Sequence, residues 1–242
     1  MKNGLLVAAA LVGMTSITPA HATSIFTWVT PSNENTILGE LYSESNNGIT
    51  LTAYGLTAPT NLTQPATAGP ALYAKNGGSG ETGLGMATDP GNDHEISAAL
   101  NDGIQVDFAN ALAAAPNATV AMSISSVQSG EGWVLYGSNT LLTVAGNSKT
   151  DGSLGEPLLS GSGSNANPTV TINLPDWGQY TYYTLMATDP GGSNPDANIL
   201  LGTVTINGGI TVQNTPEPGS LLLAGTALLI IGVMIKKKHK KA

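Results

Sequence analysis

Through the middle of this chain, apolar residues return at every second position. Val120, Met122 and Ile124 form one series, Trp133 and Leu135 another, Val170, Ile172 and Leu174 a third, and Val204 and Ile206 a fourth. A period of two is that of a β-strand with one face on a core and the other in water. Ile25 to Thr30, Ile49 to Tyr54, Ile104 to Phe108, Leu141 to Val144, Tyr180 to Ala187 and Ile210 to Gln213 are further candidates. About ten short strands, punctuated by Gly, Pro, Asn and Asp, predict an all-β chain: a single antiparallel β-sandwich or jelly-roll-like domain.

Composition supports this reading. The 242 residues include 30 Gly, 14 Pro, 19 Ser and 28 Thr, which favour turns and extended backbone over long helices. One short helical stretch is expected at Ala109 to Ala115, ending before Pro116. The span from Thr23 to Asn214 is long enough to bury roughly 70 percent of its unfolded surface in one core. Thr57 to Gly69 and Gly146 to Asn167 read as loops rather than domain linkers.

One hexapeptide occurs twice, one hundred positions apart: Met86-Ala87-Thr88-Asp89-Pro90-Gly91 and Met186-Ala187-Thr188-Asp189-Pro190-Gly191. Each follows a strand-like run and ends in Asp-Pro-Gly, where Pro presets the first turn dihedral and Gly accepts a positive one. The flanks, Gly83-Leu84-Gly85 and Tyr183-Thr184-Leu185, do not match. A repeated hairpin exit is therefore expected rather than a duplicated half-domain.

The chain has no Cys and no Arg, which excludes disulfides, thiolate chemistry and guanidinium clamps on phosphate. Between Thr23 and Asn214 lie fifteen of the sixteen acids but only two lysines, Lys75 and Lys149, for a formal net charge near minus thirteen. Such a surface repels phosphate backbones, so nucleic acid is not an expected partner.

The two ends read as addresses. Residues 1–22 carry one Lys, the apolar run Leu5 to Met14, and Ala20-His21-Ala22, the pattern of a signal peptide cut by signal peptidase before Thr23. At the other end, Pro216-Glu217-Pro218 precedes the uncharged run Leu221 to Ile235 and the cluster Lys236, Lys237, Lys238, Lys240 and Lys241. Fifteen helical residues rise about 22 Å, which crosses a membrane only with help from flanking residues and snorkelling lysines. The lysines should stay cytoplasmic as stop-transfer charge while the body, residues 23–214, faces outward.

This three-part tail, residues 215–242, resembles the PEP-CTERM sorting signal of bacterial exported proteins. The resemblance implies an exosortase-like membrane enzyme as partner, with Pro216, Glu217 and Pro218 as its recognition motif and 221–235 as the transmembrane helix. It also implies a setting of exopolysaccharide production. Within the body, Gly83-Leu84-Gly85, Asp93-His94-Glu95-Ile96, Val106-Asp107-Phe108 and Ser126 to Trp133 look like a group of exported PEP-CTERM proteins. That group commonly has Asn where His94 stands. The resemblance implies a fold and an export route, and no activity.

Asp89, Asn92, Asp93 and Glu95 make the densest polar constellation. Closely spaced oxygen donors around a Gly-containing turn suit calcium as a cofactor, although the spacing is not that of an EF-hand. The competing expectation is an acidic, solvated turn. Trp177, between Pro175-Asp176 and Gly178, is the aromatic expected to be partly exposed and to stack on a sugar, whereas Trp133 belongs to the core. No nucleophile motif occurs, but carboxylate pairs drawn from Glu131, Asp102, Asp107 and Asp176 would suit a glycan hydrolase if they met in space. The leading expectation is a noncatalytic exported surface or extracellular-matrix protein, with a matrix carbohydrate-binding module and a matrix glycan hydrolase as alternatives. Its path runs from an inner-membrane anchor to the cell surface or matrix.

Overall fold

The computed structural model describes residues 23–56, 70–78, 80–88, 93–141, 156–164, 168–192, 194 and 196–208. The expected signal peptide, the strand Ile210 to Gln213, most of Leu141 to Val144 and the whole sorting tail lie outside these residues. In chain order the strands are β1 (Thr23–Thr27), β2 (Thr36–Gly39), β3 (Leu41–Asn46), β4 (Ile49–Leu56), β5 (Leu72–Asn76), β6 (Thr82–Met86), β7 (Ile96–Ser97) and β8 (Gly103–Asp107). A helix, α1 (Ala109–Ala114), precedes β9 (Thr119–Ser125), β10 (Gly132–Ser138), β11 (Leu159–Ser162), β12 (Val170–Asn173), β13 (Tyr182–Thr188) and β14 (Asn198–Asn207).

These strands form two antiparallel sheets, so the chain is all-β. The first runs β12-β9-β14-β6-β5-β2, with β1 and β7 also bonded to β14; the second runs β11-β10-β13-β8-β4-β3. Alternation assigns the faces. In β4, Ile49, Leu51 and Ala53 enter the core while Thr50, Thr52 and Tyr54 lie on the opposite face. The hairpin from β3 to β4 turns through Asn47 and Gly48, both at positive φ (51° and 77°), the backbone a two-residue turn between twisted strands requires.

Both sheets contribute to one core. Phe26, Leu84, Met122, Ile124, Leu201 and Val204 from the first meet Leu51, Ile104, Val106, Leu135, Tyr183 and Leu185 from the second. Phe108 belongs to this core and makes edge-to-face contact with Tyr183 (5.6 Å) and Trp177 (5.5 Å).

The long strand β14 organises the first sheet. Along one side it pairs with β9; along the other it meets β7, then β6, then β1. Thr23 is the first residue of β1 and pairs with Asn207, the last of β14, their side chains joined at 3.0 Å. Asn46 and Asn47, at the tip of the β3–β4 hairpin, donate to the carbonyls of Ile25 and Thr23 and tie β1 to the second sheet.

Several strands were not anticipated from periodicity: β2, β3, β5, β6, β7 and β11. Two others are displaced, since β1 starts at Thr23 and stops at Thr27, and β13 starts at Tyr182. Among the described residues no helix is long and apolar enough to cross a membrane.

Candidate functional site

The predicted site residues fall into three groups. Pro216, Glu217, Pro218, the tail lysines, Asp89 and Asn92 lie outside the described residues. Trp177 is half-buried: its indole N–H donates to the carbonyl of Ala115 at 3.2 Å, and its ring packs against Phe108. Asp93 is exposed, whereas Glu95, two residues on, is 2% exposed. The two therefore share no environment. Among the described residues no three His, Asp or Glu side chains gather as a metal site.

What surrounds Glu95 is a buried polar cluster, and the glycines of β6 explain how it forms. Gly83 and Gly85 pair with Lys75 and Tyr73 of β5. A Cβ on Gly85 would collide with the carbonyl oxygen of His94, and one on Gly83 with that of Leu201. Two side-chain-free positions thus let other segments lie directly on the strand. On this shelf the His94 ring stacks on Tyr73, centroids 3.9 Å apart and planes 21° apart. The positive φ of His94, 57°, turns the next residue toward Lys75.

Glu95 Oε1 accepts from Lys75 Nζ at 2.6 Å and from the Ser126 hydroxyl at 2.9 Å. Glu131, 6% exposed, accepts from the Gln128 backbone N–H at 2.6 Å. Asn198 lies between the two acids. Turned so that its amide nitrogen faces them, it donates to Glu131 Oε1 at 3.1 Å and to Glu95 Oε2. Three of the four stretches that carry the body's resemblance meet here: Gly83 to Gly85 as the shelf, His94 and Glu95 upon it, and Ser126 to Glu131 closing it.

Burial raises the Glu95 carboxyl above the ordinary carboxylate value, against the opposing pull of Lys75 and Ser126; nearby Glu131 adds to the rise. Burial raises Glu131 as well, against backbone N–H donors from Gln128 and Asn198. A carboxyl group of this kind takes up a proton more readily than one in water, which is the property acid–base chemistry uses.

Of the acids considered for sugar chemistry, Glu131 finds a carboxylate partner in Glu95, which sequence reasoning had not placed in that role. Asp107 instead accepts from the Ala109 N–H at 2.7 Å, Asp176 sits in the turn before Trp177 at φ 52°, and Asp102 is buried. Lys75, Ser126 and Asn198 were also missed. The one usable signal was scarcity: a lysine in a body with only two of them, set in a strand, has a strong call on any buried acid.

No protein-family profile matches this chain, and no curated protein or solved structure does either. The fold and the cluster define it as an all-β chain of two antiparallel sheets, locked on one side by a buried carboxylate network.

Proposed function

We propose that this chain is a noncatalytic exported protein of the bacterial surface or extracellular matrix. A signal peptide carries it across the membrane, the tail helix holds it there, and an exosortase-like enzyme processes it near Pro216 to Pro218. The observation that carries this reading is the order of the tail: Pro-Glu-Pro, a short uncharged run, then five lysines within six residues. Two prolines around Glu217 hold the backbone extended and outside the helix, which leaves a cleavable segment at the membrane edge.

On this view the two sheets are a β-sandwich of jelly-roll kind, exopolysaccharide is the surrounding medium, and the sorting motif is the functional site. The test is the intact mass and C-terminal residue of the protein isolated from the membrane and matrix fractions of its native host. A matrix form that starts near Thr23 and ends near Pro216 to Pro218, and that is lost in Glu217→Ala while the anchored form accumulates, is the expected result. A matrix form still ending at Ala242, or equal release of the variant, overturns it.

A further inference from the structure

The cluster around Glu95 holds the three parts of an amide-forming reaction. Lys75 supplies a primary amine, Asn198 a carboxamide, and Glu95 touches both, through Oε1 to Lys75 Nζ at 2.6 Å and through Oε2 to the end of the Asn198 side chain. We infer that Lys75 Nζ and Asn198 Cγ become joined by an intramolecular amide bond, with ammonia leaving. The inference is independent of the sorting proposal.

The steps balance with these three residues alone. One proton passes from the Lys75 ammonium to the Glu95 carboxylate across their hydrogen bond, leaving a neutral amine and a neutral acid. The amine lone pair attacks Asn198 Cγ while Glu95 gives its proton to Oδ1. Glu95 then takes a proton from the attacking nitrogen and delivers it to Nδ2. The C=O bond re-forms, the Cγ–Nδ2 bond breaks, and the Oδ1 proton returns to Glu95. The products are the Lys75–Asn198 amide, free ammonia and a protonated Glu95, which holds the proton Lys75 began with.

Three observations favour this chemistry over a plain ion pair. First, the orientation of Asn198 is tied to protonation. With both acids ionised, the atom facing them is the amide nitrogen; a proton on Glu95 is one it can give to the carboxamide it already touches. Second, burial of Glu95 favours the protonated acid the first step produces. Third, Glu131 Oε1 accepts from the Asn198 side-chain amide and, at 3.4 Å, from its backbone N–H, so the carboxamide is fixed against Glu95, the residue that also holds Lys75. The bond would fasten β5 to the first residue of β14 in a chain without cysteine.

The test is mass spectrometry of the full chain and of its protease digest. Expected is a loss of about 17 Da, the mass of one ammonia, together with a single branched peptide containing Lys75 and Asn198. Glu95→Gln, which cannot shuttle the proton, should lack both. Lys75→Arg keeps a cation beside Glu95 but cannot form this amide; it should stay folded by circular dichroism and yield only linear peptides. Linear peptides bearing unmodified Lys75 and Asn198 from the folded wild-type protein overturn the inference, whatever the variants do.

Discussion

Met86 and Met186 open identical hexapeptides, yet they point in opposite senses from their sheets. Met86 ends β6 in the shared core; Met186 lies within β13 and packs with Val134 and Tyr136 on the other face of the second sheet. The flanks decide this. In β6, Leu84 faces the core, so Met86, two residues on, does too. In β13, Tyr183, Leu185 and Ala187 take the core face and leave Met186 on the other. Six shared residues carry no face of their own; a period of two inherits it from whatever precedes. Beyond the hexapeptides the two segments converge again. The first leads to Glu95 and β7, the second to Asn198 and β14, and Ser97 pairs with Asn198.

The comparison breaks most severely at the flank of the first copy. Gly85→Ala sets a methyl group against the His94 carbonyl and should cost upwards of about 3 kcal/mol. It should lower the urea midpoint sharply and dissolve the His94–Tyr73 stack; near-wild-type stability would mean the shelf is not needed. The methionines themselves come next. Met86→Ala should cost about 4 kcal/mol and Met186→Ala about 2, because only the first removes a side chain from the shared core. Equal losses would erase the distinction between the two faces.

The smallest effect concerns the point of convergence. Glu95 and Glu131 are raised in the folded body, so the folded state binds these protons more tightly than the unfolded chain. Their contribution is fully present below the ordinary glutamate value of 4.5 and is lost as pH rises through the raised values. Denaturation midpoints followed upward from that pH should carry this loss, and Glu95→Gln should flatten it. A wild-type curve no steeper than the variant's would contradict the burial of Glu95.

Periodicity made half of the sheets legible. β9, β10, β12 and β14 alternate plainly, and α1 falls where the Ala-rich run before Pro116 placed it. The strands that escaped notice did so for physical reasons. β2, β3 and β11 are edge strands with one neighbour, so Thr-Ile-Leu-Gly, Leu-Tyr-Ser-Glu-Ser-Asn and Leu-Ser-Gly-Ser need no full apolar face. β6 shows no alternation because Gly83 and Gly85 stand where it would show a side chain; their emptiness is their role. The cluster was illegible for a different cause. Its members Lys75, Glu95, Ser126, Glu131 and Asn198 come from four separate segments, and no local spacing announces that they meet. The local density of acids suggested a cation near Glu95, and the fold supplied a lysine from β5.

The placement of β14 also bears on mechanics. Under the tethering proposed for the tail, the body would take every tug of flow through this strand. An edge strand under such a load peels away one hydrogen bond at a time. β14 has ladders on both flanks, so a pull along its axis loads them in parallel and spreads across the first sheet into β9 on one side and β1 on the other. The exposed edges β2, β3, β11 and β12 stand outside that line of force.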